Sequence, residues 1–335
     1  MDKFLPTTRC ACIICTFFAQ RFRYIVKAGG KLVLSLLVFL SCIVSIQAQT
    51  PSDAIMMKRG ELCFALGYEY GSFDEYREGT DLRKNETIAT VSRQAIMPMV
   101  AIGIIDKLNF YVGVPFIKTE SSEPNGGHLR GVKGFQDLNL ALKYKILDEE
   151  MGKGNLALFA AGGYSTPVTN YLSDYRPYSI GNGTNEWSLR GIAEYKLEMG
   201  LYARVAGGHL FRGQTEVERD YYYNNGSYYT AWMDVPSAWE YSAAIGIWML
   251  DNSLRLEATY YGLKSTSGDD IRKYNAPQPT NKVQFDQVGF FGQYYIKPIK
   301  GLGVLAYYNQ IFDGRNMSKS TTFGAGLTYQ FTVLN

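Results

Sequence analysis

The chain has 335 residues, of which 46% are hydrophobic and 14% aromatic, and its formal net charge of +3 comes from 34 Lys and Arg against 31 Asp and Glu. This near balance, without a block of basic residues, argues against a nucleic-acid partner. The mean hydropathy is -0.15, and no stretch after residue 49 approaches the roughly 18 apolar residues of a membrane helix. The composition therefore argues against a helical membrane protein, whereas a membrane protein of alternating strands remains possible.

The N-terminus has the order of a secretory signal peptide. Basic residues between positions 21 and 31 precede the apolar stretch 32–46, and residues 47–49 then offer a small-residue exit. The apolar stretch is short for a membrane-spanning helix, which favours a cleaved leader over an uncleaved anchor. We therefore expect a leader at residues 1–49, either unusually long or with an overextended start, and a membrane domain at residues 50–335.

Cysteine usage fits export and predicts no chemistry. Cys10, Cys12, Cys15 and Cys42 lie in the expected leader, so Cys63 has no cysteine partner for a disulfide within the mature chain. The spacing of the first three resembles a metal site, but it lacks a histidine and lies in a segment expected to be removed. A lipid anchor on Cys42 is disfavoured because the apolar stretch continues past it. We expect neither a metal nor a cofactor.

Alternation of apolar and polar residues predicts strands along the rest of the chain. In the last and clearest one, Phe323, Leu327 and Phe331 share an apolar face, with glycine, threonine and glutamine on the other. The same pattern predicts twelve strands, at 61–72, 88–105, 108–119, 135–147, 154–166, 186–197, 200–212, 238–250, 253–265, 283–297, 301–312 and 319–331.

Short and long connections alternate between these strands. Short ones are predicted at 106–107, 148–153, 198–199, 251–252 and 298–300, and the intervening ones are mostly long and polar. Outer-membrane barrels have short periplasmic turns and longer outer loops, and a bilayer-spanning sheet must close to satisfy its backbone groups. The predicted fold is therefore all-β, a transmembrane antiparallel up-and-down β-barrel of about 12 strands.

The parity of each strand assigns its faces. Leu140 and Leu189 would meet lipid, whereas their neighbours Asn139 and Ser188 would point inward. Ionised groups in lipid are costly, so charged residues of inward parity predict a wet or ion-paired lumen. The residues predicted to line it are Lys143, Lys145, Arg190, Glu194, Arg204, Arg255 and Glu257.

Two long connections are rich in aromatic residues. Aromatic rings with a polar tip suit sugars or aromatic solutes at a pore mouth. The competing interpretation is that these residues belong to strand extensions and to the interfacial girdle. The candidates for ligand contact are Tyr171, Tyr175, Tyr178, Tyr222, Tyr228 and Trp232.

No catalytic constellation stands out, and we do not expect an enzyme. The sequence has only two histidines, which limits nucleophile and base schemes. His128 lies in a polar loop. His209 has outward parity, as does the histidine of an outer-membrane phospholipase on a twelve-strand barrel, but Phe211 stands where that enzyme would need its serine.

Several turn and strand-start motifs together resemble a known family. The chain is similar to the outer-membrane barrel family named for the meta-pathway of phenol degradation at 103–109, 112–116, 134–137, 142–144 and 160–167. The similarity continues through 179–213, so it covers roughly half of the expected mature chain. The resemblance implies a channel or transporter for small solutes, including aromatic or apolar compounds.

Two classes of function remain on the sequence alone. One is a passive or gated channel for small solutes in the outer membrane of a Gram-negative bacterium. The other is a non-conducting barrel whose aromatic outer loops serve recognition or anchoring. In both cases the expected partners are outer-membrane lipid, including lipopolysaccharide, and, during biogenesis, periplasmic chaperones and the barrel-assembly machinery.

Overall fold

The computed structural model of the chain describes residues 50–272 and 277–333. The predicted leader, with Cys10, Cys12, Cys15 and Cys42, lies outside the described residues, and its cleavage stays a prediction. Within the described ranges, no helix has the length and apolar character to span a bilayer. The strands are β1 Glu61–Phe73, β2 Glu75–Glu78, β3 Asp81–Lys84, β4 Val91–Ile105, β5 Leu108–Gly113, β6 Phe116–Ser121, β7 Lys133–Phe135, β8 Asp137–Met151, β9 Gly154–Pro167, β10 Glu186–Leu197, β11 Leu201–Arg212, β12 Gln214–Glu216, β13 Tyr222–Tyr223, β14 Ser227–Tyr228, β15 Trp232–Asp234, β16 Ala238–Met249, β17 Leu254–Ser265, β18 Gln284–Tyr295, β19 Leu302–Arg315 and β20 Thr321–Thr332.

One antiparallel sheet of fourteen strands closes on itself. Its order runs from β1 through β20 and then backwards along the chain to β4, and β4 pairs with β1 again. Leu66 of β1 thus faces Leu327 of β20 on one side and Pro98 of β4 on the other. Closure leaves no edge strand in the barrel wall, which is the condition for spanning a bilayer.

The fourteen strands make twelve crossings, as the sequence predicts. β5 and β6 continue one another across Val114 and Pro115, and β7 and β8 do so across Gln136. Pro115 has no N–H for the ladder, which accounts for the interruption. Its carbonyl instead accepts a hydrogen bond from Gln136 N at 2.9 Å, joining the two breaks. The predicted transmembrane β-barrel is confirmed.

The strand boundaries differ from the prediction mainly at the connections. The predicted turn 148–153 is shorter, because β8 continues to Met151 and pairs with β9 beyond a bulge between Lys145 and Leu147. At the opposite end, connection 213–237 folds into two small hairpins, β12 with β15 and β13 with β14. We call the end with short connections the turn end and the other the loop end.

The outward face is apolar over its middle. Leu189, Ile245 and Phe290 are 62%, 65% and 64% exposed, although they lie within strands β10, β16 and β18 and not in the connections. Toward the loop end this face becomes aromatic, where Trp187 pairs with Phe211 across the strands. An apolar band bordered by aromatics is the surface that lipid and its interface require.

Candidate functional site: the barrel lumen

The inner face carries charges that pair across strands. Arg190 of β10, Gly208 of β11 and Glu240 of β16 form one row, and Arg190 Nε donates to Glu240 Oε1 at 2.8 Å. A Cβ on Gly208 would lie 3.0 Å from that Glu240 oxygen. The glycine therefore leaves room for the contact between Arg190 and Glu240 across β11. Tyr261 OH donates to the second oxygen of Glu240 at 3.2 Å.

A second group of charges lies nearer the turn end. Glu257 Oε1 accepts hydrogen bonds from Arg204 Nη1 at 2.8 Å, from Tyr202 OH at 2.6 Å and from Arg255 Nε at 3.2 Å. Glu194 lies 3.5 Å from the same Arg204 nitrogen. Two arginines and two glutamates thus compensate one another, which is the arrangement that buried charges require.

The N-terminal segment, residues 50–58, enters the lumen at the turn end. The Lys143 side chain is fully buried there, and its Nζ donates to Asp53 Oδ1 at 2.9 Å and to the carbonyl of Thr50 at 2.8 Å. Asp53 Oδ1 also accepts the amide of Ile55 at 2.9 Å. Lys143 therefore fastens the segment to the barrel wall.

Two apolar side chains continue the segment across the lumen. Ile55 packs in a buried cluster with Tyr202, Trp248 and Tyr295, which lie beside the short turns of β11, β16 and β18. Met57 packs with Cys63, Ala101 and Tyr111 in a second cluster, formed by β1, β4 and β5. The N-terminal segment thus contacts strands on widely separated parts of the wall at the turn end.

The backbone of the segment also approaches the wall closely at Gly103. A Cβ at this position would lie 2.0 Å from the Lys58 carbonyl oxygen, a distance that no side chain tolerates. Gly60, which precedes β1, donates its N–H to the carbonyl oxygen of Gly103 in β4 at 2.9 Å. Gly103, one of the residues that carries the family resemblance, therefore makes room for the entering segment.

At the loop end the lumen opens into a cavity of about 1220 Å³, which we call the outer cavity. Its wall combines inward residues of the barrel, such as Arg93 and Asn139, with residues of the long connections, such as Arg176 and Met317. A volume of this size matches or exceeds typical small-molecule sites. The lumen thus holds this cavity at the loop end and the N-terminal segment at the turn end.

The predicted lumen residues occupy three distinct settings. Lys143 binds the N-terminal segment, and the pairs described above hold Arg190, Glu194, Arg204, Arg255 and Glu257. Lys145 lies at the turn end, where its Nζ donates to Asp148 Oδ2 at 2.5 Å. Sequence reasoning missed Asp53, Ile55 and Glu240 as the partners, since parity gives the face of a residue but not its contact.

The predicted loop aromatics divide into braced and exposed residues. Tyr178 is fully buried, with its hydroxyl 2.8 Å from Ser121 Oγ, and Tyr171 OH donates to Asp137 Oδ1 at 2.6 Å. Tyr222 is buried and stacks on the exposed Tyr228. Of the six predicted residues, the three exposed ones, Tyr175, Tyr228 and Trp232, are therefore the most accessible to a solute.

Neither histidine lies among groups that could carry chemistry. His209 packs between Phe211 and Trp239, with ring centroids at 4.3 and 4.5 Å, in the outward aromatic border. His128 is exposed in a loop. Across residues 50–272 and 277–333, no group of three or more His, Cys, Asp or Glu side chains is placed to hold a metal ion.

Comparison with known proteins identifies the fold. No family model matches the chain, and no curated protein matches it in sequence. An outer membrane channel from Pseudomonas putida F1 is similar in structure, with a TM-score of 0.64 and 12% identity over 85% of this chain and 100% of that chain. The CymD monoaromatic hydrocarbon channel aligns with a TM-score of 0.41 and 8% identity over 83% of this chain and 90% of that chain. The first likeness shows that the described domain has the fold of an outer-membrane β-barrel.

Proposed function

We propose that this protein is an outer-membrane channel for small solutes, related to the barrel family named for the meta-pathway of phenol degradation. The observation that carries the proposal is a cavity of about 1220 Å³ inside a closed barrel whose inner face is charged. An inner surface with paired charges is costly to build and suits a hydrated path. The similarity to a bacterial outer membrane channel supports the same role.

The channel is gated in this proposal by the N-terminal segment. Asp53, Ile55 and Met57 are buried at the turn end, so solute that enters the outer cavity meets this segment before it reaches the periplasm. Passage then requires the segment to shift or leave. The contacts described above, those of Lys143 with Asp53 and Thr50 and the two small apolar clusters, are few compared with the hydrogen bonds of the wall, which makes such a movement feasible without unfolding of the wall.

Single-channel recording on the refolded mature chain tests the proposal. Residues 50–335 are inserted into planar bilayers in KCl, and discrete current steps are expected. A chain that lacks residues 50–57 provides the open reference. Absence of current from both proteins at all voltages would overturn the channel function.

The second candidate is a non-conducting barrel that serves recognition or anchoring through its outer loops. The observation in its favour is the exposed aromatic surface of connection 213–237, where Tyr229 is 84% exposed and Trp232 49%. Silent recordings together with binding of surface glycans or lipopolysaccharide would support it. Loss of that binding in a Tyr229→Ser and Trp232→Ser double variant would locate the contact.

Export and insertion follow from the same proposal. We infer that residues 1–49 are removed on secretion, that periplasmic chaperones and the barrel-assembly machinery insert the domain, and that outer-membrane lipid and lipopolysaccharide surround it. The charge and apolar order of residues 21–49 supports the cleavage. N-terminal sequencing of the protein from outer-membrane fractions should start near Gln49 or Thr50, and a start at residue 1 would contradict it.

A further inference from the structure

The outer cavity has more basic than acidic side chains in its wall. Its six basic residues are Arg77, Arg83, Lys84, Arg93, Arg176 and Arg272, and its four acidic residues are Glu78, Glu86, Asp137 and Glu186. Ion pairs engage residues of both signs. Glu78 pairs with Arg83 at 3.1 Å within the wall, and Glu186, Arg93 and Arg272 pair respectively with Arg212, Glu69 and Asp269, which lie outside it. Arg176 of the wall has no carboxylate partner among the described residues.

Arg176 is the most distinctive of these cations. Its Nη2 donates to the neutral amide oxygen of Asn182 at 2.8 Å, and no carboxylate among the described residues lies within ion-pair distance of it. Its Nε is buried without an acceptor in that same part of the chain. Burial and the neighbouring Arg212 lower the pKa of Arg176 to about 10, so it remains a cation at neutral pH.

The backbone of the loop that carries Arg176 is braced on both sides of the arginine. The buried Tyr178 lies two residues on, where its hydroxyl contacts Ser121 and its carbonyl accepts a hydrogen bond from Thr119 Oγ1 at 2.7 Å. Tyr175 stacks on Tyr178 from the other side of the arginine. Both contacts hold the position of the Arg176 backbone on the cavity wall.

Arg77 adds a second cation that is only partly satisfied. Its Nη2 donates to the carbonyl of Phe312 at 2.8 Å and lies 3.8 Å from Asp313, whose side chain is 69% exposed. Its Nη1 is buried and has no acceptor in the described ranges. The Asp313 carboxylate is distant and mostly exposed, so it neutralises this buried guanidinium only weakly, and an incoming anion could form the stronger charge-assisted hydrogen bond.

Apolar side chains line the same cavity. Phe73, Ile88 and Met317 belong to its wall and are partly exposed, whereas Val91 and Ile180 of the same wall are buried. A bare inorganic anion would leave these surfaces wet, whereas a ligand with an apolar body would cover them. The wall therefore combines two requirements, a negative head group and an apolar body.

We propose that the outer cavity binds small organic carboxylates with an aromatic or apolar body, through Arg176 and Arg77. The inference rests on the proposed channel function in that it names the solute class that the channel would admit. The planar fork of a guanidinium matches a carboxylate, and the apolar wall accepts the ring or chain behind it. Neutral aromatic compounds fit the same wall but lack the charged contact.

Equilibrium binding tests the proposal without any need for current. Benzoate is titrated into the refolded chain 50–335 in detergent at moderate salt, beside benzyl alcohol, benzylamine and acetate as probes. Benzoate is expected to bind at least about tenfold more tightly than benzyl alcohol, which has the ring without the charge. Equal binding of these two, or of acetate and benzoate, would overturn the proposed ligand class.

Matched variants locate the contact. Arg176→Gln and Arg77→Gln should each weaken benzoate binding by about tenfold, and Arg176→Lys should retain part of it because the charge remains. Lys297→Gln is the control, since Lys297 pairs with the exposed Asp251 at 2.9 Å at the turn end and is not part of the cavity wall. It changes the net charge equally and should leave binding within about twofold at moderate salt.

The outcomes separate this inference from the channel function. If the protein conducts KCl but binds benzoate no more tightly than benzyl alcohol, the channel function stands and the proposed carboxylate site is wrong. If benzoate binding depends on Arg176 but the protein gives no current, the carboxylate site stands and the channel function is wrong. A benzoate affinity unchanged by both Arg176→Gln and Arg77→Gln, in variants whose far-ultraviolet circular dichroism matches the parent, would overturn the proposal outright.

Discussion

The two ends of the lumen differ in how their charges are satisfied. At the turn end, Lys143 and Asp53 pair directly, and two arginines share their bonds with two glutamates. At the loop end, the hydrogen bonds of Arg176 and Arg77 go to neutral oxygens, and the acid nearest to Arg77 is the exposed Asp313 at 3.8 Å. Each arginine also has one buried nitrogen without a described acceptor. The first arrangement satisfies itself and is suited to closure, whereas the second is completed by an incoming anion.

This difference separates the control of passage from the choice of solute. The N-terminal segment lies at the turn end, and none of residues 50–58 belongs to the wall of the outer cavity. A variant at one end should therefore change one property and leave the other. The free-energy effects of substitutions at the two ends should add, because the two sites are distant and share no partners.

The largest expected effect comes from Lys143→Met. Removal of one partner of a buried ion pair typically costs about 3 to 5 kcal/mol, because the other charge remains buried and unpaired. Asp53 can escape this cost if the N-terminal segment leaves the lumen. We therefore expect a clear rise in single-channel conductance, with benzoate binding in the outer cavity unchanged.

Two further variants sharpen this test. Lys145→Met removes a partly exposed pair with Asp148 at the same end and should have little effect, since exposed pairs contribute about 0 to 1 kcal/mol. Lys143→Met combined with Asp53→Asn removes both charges and should restore part of the closure. A conductance in Lys143→Met equal to that of the parent would show that the segment does not obstruct the path.

The next largest effect tests the two faces of the wall. Leu189 is outward and exposed, whereas its neighbour Ser188 has inward parity. Leu189→Arg should cost about 2 to 4 kcal/mol and Ser188→Arg much less, because only the first places a charge in hydrocarbon. The free energies come from denaturant titration of reversible folding into bilayers.

A second pair repeats the comparison on another strand. Leu140→Arg should cost more than Asn139→Arg, since Asn139 belongs to the wall of the outer cavity. Neighbouring residues differ by one step of register, and such a step exchanges the faces of a strand. Equal costs within both pairs would contradict the membrane-facing assignment of these strands.

The barrel wall could be predicted from the sequence because its information is local. Trp187 and Leu189 alternate with Ser188 and Arg190, and this period of two gives both the strand and its face. Twelve such segments then give the barrel. The structure confirms the number of crossings, and it corrects boundaries mainly where hairpins such as that of β8 and β9 extend beyond the apolar pattern.

The lumen contents could not be predicted in this way, because they depend on closure. Arg190 and Glu240 are 50 positions apart and meet only through the register of the strand between them. Residues 50–58 show no alternation, and Ile55 becomes a core residue only once the wall surrounds it. The one local signal was Gly103, whose requirement for a small residue is explained by the Lys58 carbonyl.

Gly103→Ala tests that explanation and should have a smaller effect than Lys143→Met. The added methyl would lie 2.0 Å from Lys58 O, and overpacking of this kind costs about 1 to 3 kcal/mol. The strain can be relieved if residues 50–58 move, so conductance should rise moderately. Gly191→Ala is the control, since its Cβ would meet nothing within 4 Å, and an equal response of both variants would remove the special role of Gly103.

The smallest expected effect concerns the brace between two outer connections. Arg315 Nε donates to Asp270 Oδ1 at 2.6 Å, and Asn316 Nδ2 donates to the same oxygen at 2.9 Å. The hydrogen bond from Arg315 lowers the pKa of Asp270 below its ordinary value of 3.8, against some burial. Because the pKa of Asp270 is lower in the folded state, the stabilisation from its ionised carboxylate is complete above the ordinary pKa. This stabilisation is lost as the pH falls through the pKa of the folded state. The melting temperature of the parent should therefore exceed that of Asp270→Asn by a small constant amount above about pH 5, and the difference should shrink as the solution becomes more acidic. A difference in melting temperature that is independent of pH would show that the carboxylate charge does not contribute to the brace. Because Asp270→Asn changes only the loop end, the variant and the parent should have the same conductance.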